Sequence, residues 1–302
     1  MNVQDENTAA LVRSQSASLS ETGATSLVRR GVQDLAAKAE AEQWYKQGQA
    51  LWDEKQYGEA VRCFHLGLKL SASYPDLQFA LGLASWCGLG VPKDRHQAAD
   101  WFRMAAEQGH ADAANQLGLH YRSRPGIAPD YEQAFAWFRK AAEQGHAAAQ
   151  FNLGRAYRFG SGITQDYKQA VAWYYKAADQ GHEWAAFELG NCYELGLGVA
   201  QDYEQAFAWY RKAAAQGYAE AQYLLGSLYF SGKGVPQDDV EAAKWWRKAA
   251  DQGLAEAQFS LGMSYSLGRG VMQDPAKGAS WFRKAAEQGV KAAQQALDDM
   301  LK

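Results

Sequence analysis

Three histidines, His110, His146 and His182, recur at intervals of 36 residues, as a row of metal ligands would. Each follows a glycine (Gly109, Gly145, Gly181) that reads as a helix stop, so a whole helix pair separates one histidine from the next. Packed helices lie roughly 8–10 Å apart, whereas zinc–nitrogen bonds are about 2 Å. The histidines therefore read as turn residues, and no metal is expected. Asp94, Asp130, Asp166, Asp202, Asp238 and Asp274 keep the same interval and could supply paired carboxylates for acid–base work. Five of the six have Gln or Glu three residues on, the signature of a helix cap and capping box, and Lys277 breaks it in the last. Cys63, Cys87 and Cys192 are odd in number and widely spaced, which gives neither a disulfide framework nor a zinc knuckle. Cys87 could be a nucleophile only beside a base, and no Cys–His arrangement offers one. The Gly160-Ser161-Gly162 loop lacks the third glycine and the preceding strand of a dinucleotide fingerprint. No Gly-x-Ser-x-Gly or His-Glu-x-x-His occurs. No catalytic residue and no cofactor are expected; a hydrolase acting on cell-wall or β-lactam substrates ranks last among the alternatives.

These residues are positioned by a repeat. Trp101, Trp137, Trp173, Trp209, Trp245 and Trp281 are 36 apart, as are Gly82, Gly118, Gly154, Gly190, Gly226 and Gly262. Self-similarity at such a period marks a solenoid. In the third unit, Ala149, Leu153, Ala156 and Tyr157 form one face of a first helix. The loop glycines reverse the chain, and Asp166 caps a second helix that buries Ala170, Trp173, Tyr174, Ala177 and Ala178. Gly181 then stops it in the left-handed C′ position. Glycine inside a helix costs about 1 kcal/mol against alanine, so Gly154 and its equivalents imply close approach of the partner helix, with the repeated Trp ring filling the adjacent space. The predicted architecture is all-α: a tail at 1–35, then one solenoid over 36–302.

The formal net charge of −3 lacks the basic field that nucleic-acid binding draws on. Together with the tryptophan signature, it argues against the one-base-per-repeat RNA binding of pentatricopeptide-type arrays. No run approaches the roughly 20 apolar residues of a membrane span, and the Ser- and Thr-rich start has no apolar signal core. The expectation is a cytoplasmic monomer with no membrane insertion, or one exported by a non-classical route.

The third unit carries Leu153, Gly154, Tyr157, Gly160, Gly162, Ile163, Asp166, Ala170, Trp173, Tyr174, Lys176, Ala177, Ala178 and Gly181. That pattern resembles the Sel1-like repeat, a relative of the tetratricopeptide repeat. The resemblance covers 75–290 as six units: 75–110, 111–146, 147–182, 183–218, 219–254 and 255–290. Departures are Ser85 and Met104 in the first unit, Arg124-Pro125 in the second and Gly278 in the last. Upstream, 41–74 resembles one tetratricopeptide unit through Trp44, Gly48, Tyr57, Ala60 and Phe64. Downstream, 291–302 reads as a capping helix, with Leu297 in phase and Asp298 replacing the glycine. The resemblance implies a right-handed α-α superhelix whose first (A) helices line a concave face. It also implies an adaptor or scaffold for protein complexes, often bacterial; a secreted effector engaging host proteins is the runner-up.

Aligning the Leu-Gly pair with the tetratricopeptide pattern projects a peptide groove. Its aromatic members are Tyr45, Trp52, Trp86, Phe151, Phe159, Trp184, Phe187, Tyr223 and Phe230, with Phe79 and Phe259 at matching positions. Asn115 and Asn191 could hold a ligand's backbone. Arg122, Arg155 and Arg158 could attract an acidic segment or a C-terminal carboxylate. The recurring aromatic at the Phe151 position equally fits packing between repeats.

Overall fold

A computed structural model of the chain describes residues 33–123 and 128–300. Most of the proposed tail, the Arg124-Pro125 departure and the last two residues of the capping helix lie outside the described residues. The described residues form helices joined by short loops, with no strand among them. They divide into two compact units, one ending at His120 and one starting at Tyr121.

The first unit holds α1 (described over 33–53), α2 (Tyr57–Leu70), α3 (Pro75–Cys87), α4 (Arg95–Glu107) and most of α5 (Ala111–Arg122). Phe64, Leu77, Leu81 and Phe102 are almost fully buried in it. The second unit holds α6 (Tyr131–Glu143), α7 (Ala147–Phe159), α8 (Tyr167–Asp179), α9 (Glu183–Leu195) and α10 (Tyr203–Ala215). It continues with α11 (Ala219–Ser231), α12 (Asp239–Asp251), α13 (Ala255–Leu267), α14 (Pro275–Glu287) and α15 (Lys291–Met300). From α6 to α15 each helix packs on the next, which is the all-α solenoid that the period predicts.

In five of the six Sel1-like helix pairs the Leu-Gly glycine lies directly against an aromatic ring of the second helix. A Cβ on Gly154 would sit 2.6 Å from the Tyr174 ring, and one on Gly190 would sit 2.5 Å from Tyr210. Gly82, Gly226 and Gly262 meet Phe102, Trp246 and Phe282 in the same way. This corrects the expected partner, because the ring filling the space belongs to the residue after the repeated tryptophan. The tryptophan lies about 100° further round the helix, where the lysine three residues on stacks over it. Lys176 Nζ is 3.9 Å from the Trp173 ring centre, and Lys212 Nζ is 3.9 Å from that of Trp209. Gly278 has its own cause: a side chain there would collide with the Ser266 hydroxyl of α13.

All six aspartates cap a helix, each accepting the N–H three residues on, at 3.0 Å for Asp166 and Gln169. The reciprocal half of the capping box belongs to the backbone instead. Asp166 N–H donates to the Tyr157 carbonyl at 2.9 Å, and Asp202 and Asp238 repeat this with Tyr193 and Tyr229. The cap thus ties the second helix of a pair to the end of the first.

Successive pairs are joined by glutamines. Gln180 Nε2 donates to the Gly145 carbonyl at 2.9 Å and to Gln150 Oε1 at 2.8 Å; Gln252 and Gln288 make the same two bonds to Gly217 and Gln222, and to Gly253 and Gln258. Gln150, Gln222 and Gln258 are buried, so each amide must be satisfied, and each also donates to a carbonyl of the preceding helix. Gly162, at φ +76°, lies so close to the Tyr131 carbonyl of the preceding pair that no side chain fits.

Two glycine substitutions should therefore shift stability in opposite directions. Gly154→Ala forces the Tyr174 ring aside, an overpacking of roughly 1–3 kcal/mol against about 1 kcal/mol of helix propensity, and should lower the urea midpoint. Gly58→Ala, in α2 with nothing within 4 Å, should raise that midpoint through a stability gain of about 0.4–1 kcal/mol. Equal shifts of one sign would contradict the packing described.

Candidate protein-interaction site

The outward positions of the first helix in each pair line open grooves. In the second unit, a groove of about 420 Å³ is bounded by α6, α7 and Arg122. Tyr131, Phe135 and Phe138 line it on the α6 side, and Phe159, 57% exposed, lines it from α7. Arg122 lies over Phe138, 5.8 Å from its centre, and donates to Asn152 Oδ1 at 2.8 Å. The Arg155 guanidinium sits 5.9 Å from both Phe151 and Phe159. Burial, and then the charge of Arg155, hold the Arg122 guanidinium below its ordinary pKa. Among the described residues, neither arginine is matched by a carboxylate.

Arg158 is different. Its guanidinium forms an ion pair with Glu188 of the next pair of helices, and both side chains are largely buried. It is not free to receive a ligand, and the expected triad of arginines reduces to Arg122 and Arg155. Glu188 also accepts from Asn191 Nδ2 at 3.3 Å. The Tyr210 hydroxyl lies 2.7 Å from both Asn191 Oδ1 and Glu194 Oε2. Burial and then the Glu194 hydrogen bond push the Tyr210 phenol above its ordinary value, so it stays protonated. Asn191 is therefore a member of an internal network, with part of its amide already engaged.

A second groove of about 390 Å³ runs between α11 and α13. Tyr223, Phe230, Trp246 and Phe259 line it, with Met263 and Leu267 at the exposed edge. Ser227 and Ser264 donate to carbonyls of their own helices, which lowers the polarity of the walls. Arg269 lies 4.2 Å from the Phe230 ring centre, but both carboxylate oxygens of Asp239 hold it, at 3.0 and 3.1 Å. In the first unit a third groove of about 340 Å³ has Tyr45 and Trp52 on one wall and Phe79 on the other.

The projected residues thus divide. Tyr45, Trp52, Arg122, Arg155, Phe159, Tyr223 and Phe230 line grooves. Trp86 lies beneath Arg95, 5.0 Å away. Trp184 is 47% exposed and meets Phe151 edge-on. Phe187 is half-buried, with its ring against Tyr218 and Tyr210. Phe151 is buried and stacks on His182 at 4.7 Å, the between-repeat packing. Asn115 is also buried, which takes its amide away from any ligand.

Sequence reasoning missed Asn152, Glu188, Met263 and Leu267. Asn152 and Glu188 each lie 30 residues after an arginine they contact, a fixed offset between one first helix and the next.

The chemically suggestive residues have structural partners. His110 and His146 cap α5 and α7 through Nδ1, accepting from Ala113 at 3.2 Å and Ala149 at 3.1 Å. Burial lowers the His182 pKa, favouring the neutral ring against Phe151. Among the described residues no group of His, Cys, Asp and Glu could hold a metal ion, and no helix is long and apolar enough to cross a membrane.

Sel1 repeats match at 75–110, 111–146, 147–182, 185–218, 219–254 and 255–290. The chain belongs to the Sel1 repeat family. Among solved structures, it is 34% identical to c5321, a protective antigen of uropathogenic Escherichia coli with an SLR fold, at a TM-score of 0.81. That match covers 88% of this chain and only 58% of the antigen. A Sel1 repeat protein from Oxalobacter formigenes is 35% identical at a TM-score of 0.73, over 86% of this chain and 76% of the other. Comparison with curated proteins finds no match.

Thiol reactivity checks the burial of the cysteines. Cys87 is exposed, whereas Cys63 and Cys192 are buried, and burial pushes the Cys192 thiol up to about 11. At pH 8 only about one thousandth of Cys192 would be thiolate. An aromatic disulfide reagent should titrate one fast thiol per native chain and all three after unfolding in urea. Two or three fast thiols would contradict this packing.

Proposed function

We propose that the chain is a protein–protein interaction scaffold that holds an acidic segment of its partner on the first-helix side of the solenoid. The Sel1 repeat architecture supports the scaffold role. One observation supports the acidic partner: Arg122 and Arg155 share an aromatic groove without a counter-charge, while Arg158 and Arg269 each have a carboxylate. Two like charges side by side and partly desolvated repel each other, and an incoming carboxylate relieves that repulsion. A side-chain carboxylate or a C-terminal one would satisfy the pair through bidentate bonds. The likeness to a pathogen's protective antigen favours a second reading, an exported effector; finding the protein in culture supernatant without cell lysis would support it.

Fluorescence anisotropy with a labelled acidic peptide tests the main reading. Arg122→Glu with Arg155→Glu should weaken binding at least about tenfold, and salt should weaken it in the wild type. Unchanged affinity in the double variant would refute the assignment. Asn152→Glu separates a binding role from a structural one. It supplies Arg122 with a carboxylate, so it should preserve or raise the melting temperature while weakening peptide binding. Unchanged binding would show that the groove is not the site.

A further inference from the structure

The second unit has two grooves of opposite chemistry on the same series of first helices. One is bounded by α6, α7 and Arg122 and carries the unmatched guanidiniums of Arg122 and Arg155. The other lies between α11 and α13 and is lined mostly by apolar side chains; Ser227 and Ser264 donate to carbonyls of their own helices and Arg269 is neutralised by Asp239. Met263 and Leu267 stay exposed at its edge, 37% and 58%, although the same helix could have carried polar residues there. Between the two grooves stands α9, where Glu188 is paired with Arg158 and the Glu194 carboxylate accepts from the Tyr210 hydroxyl.

We infer that the two grooves form one bidentate site for a single extended segment of a partner protein. A carboxylate of that segment would engage Arg122 and Arg155, and a bulky apolar side chain, such as Phe, Trp or Leu, would fill the groove between α11 and α13. The inference rests on the interaction reading above and adds a second anchor and a spacing to it. Three helix-to-helix steps separate the grooves, about 24–30 Å at roughly 8–10 Å per step. An extended chain covers about 3.3–3.6 Å per residue, so the two anchors stand about seven to nine positions apart. The stretch between them passes Glu194, whose carboxylate has no cationic partner among the described residues, so a neutral spacer is favoured over an acidic one. Charge thus fixes which end of the groove series takes which anchor, and the spacing distinguishes the true segment from one carrying either anchor alone.

Synthetic peptides with one Glu and one Phe in a neutral, flexible background provide the probe. Their anchors are set about three, eight or fourteen positions apart, in both chain directions, and single-anchor peptides serve as references. Binding to the full chain is followed by anisotropy. The expected result is a maximum near eight positions, in one direction, at least about tenfold tighter than either single-anchor peptide. Leu267→Glu, at an exposed edge, should abolish that gain while leaving the Glu-only peptide bound, and circular dichroism should show its fold intact. Arg155→Glu should weaken every Glu-bearing peptide. If Glu-only peptides bind and the spacing makes no difference, the joint site is wrong and the acidic-groove reading stands. If no peptide in the series binds, both readings fail.

Discussion

The helix pairs depend on one recurring steric contact, the approach of a first-helix glycine to an aromatic ring of the second helix. At Gly154, Gly190 and Gly226 no side chain could stand between the helix and the rings of Tyr174, Tyr210 and Trp246. The glycine has no substitute, whereas the ring does: Phe, Tyr and Trp all fill the space across the repeats. What differs is the polar tip, which reaches toward the outer face of the first helix. Trp246 Nε1 donates to the Tyr223 carbonyl at 3.2 Å, and the Tyr210 hydroxyl reaches Asn191 and Glu194. A core contact therefore has a say in the chemistry of the groove above it.

The joints between pairs use other atoms. Gln180, Gln216, Gln252 and Gln288 bond to backbone carbonyls of the preceding turn, and the loop glycines pack on backbone of the preceding pair. Neither kind of contact consumes the outward positions of the first helices. Those positions can change residue type without disturbing the register. Arg155, Asn191, Ser227 and Met263 occupy equivalent places in four consecutive units, and their chemistry passes from cationic through amide and hydroxyl to apolar. A constant frame with a variable face is what nearest-neighbour stacking permits.

The frame was legible because its signals are local. Asp166 three residues before Gln169, Gly181 after a helix of fixed length and the interval of 36 all lie within one repeat, and each holds in the structure. The aromatic partner of Gly154 was misread because Trp173 and Tyr174 are adjacent and both large, so hydrophobic periodicity does not separate them. The fate of Arg158 was hidden for another reason. Its ion pair with Glu188 depends on how one first helix registers against the next, which no single repeat encodes. The recurrence of a first-helix contact at an offset of 30, in Arg122 with Asn152 and in Arg158 with Glu188, reveals that register.

That offset gives the groove its argument. The same pair of positions is filled by Arg158 and Glu188 at one joint and by Arg122 and Asn152 at the joint before it. The first pairing neutralises a buried charge, as stability alone would favour, because an uncompensated charge away from water is costly. The second satisfies the hydrogen bond through a neutral amide and leaves the charge standing, beside a second guanidinium that raises the cost. A carboxylate at position 152, as at Glu188, would have placed a counter-charge beside Arg122. Local destabilisation that an internal counter-charge would relieve, set in an open aromatic groove, is the feature that the proposed acidic partner would offset.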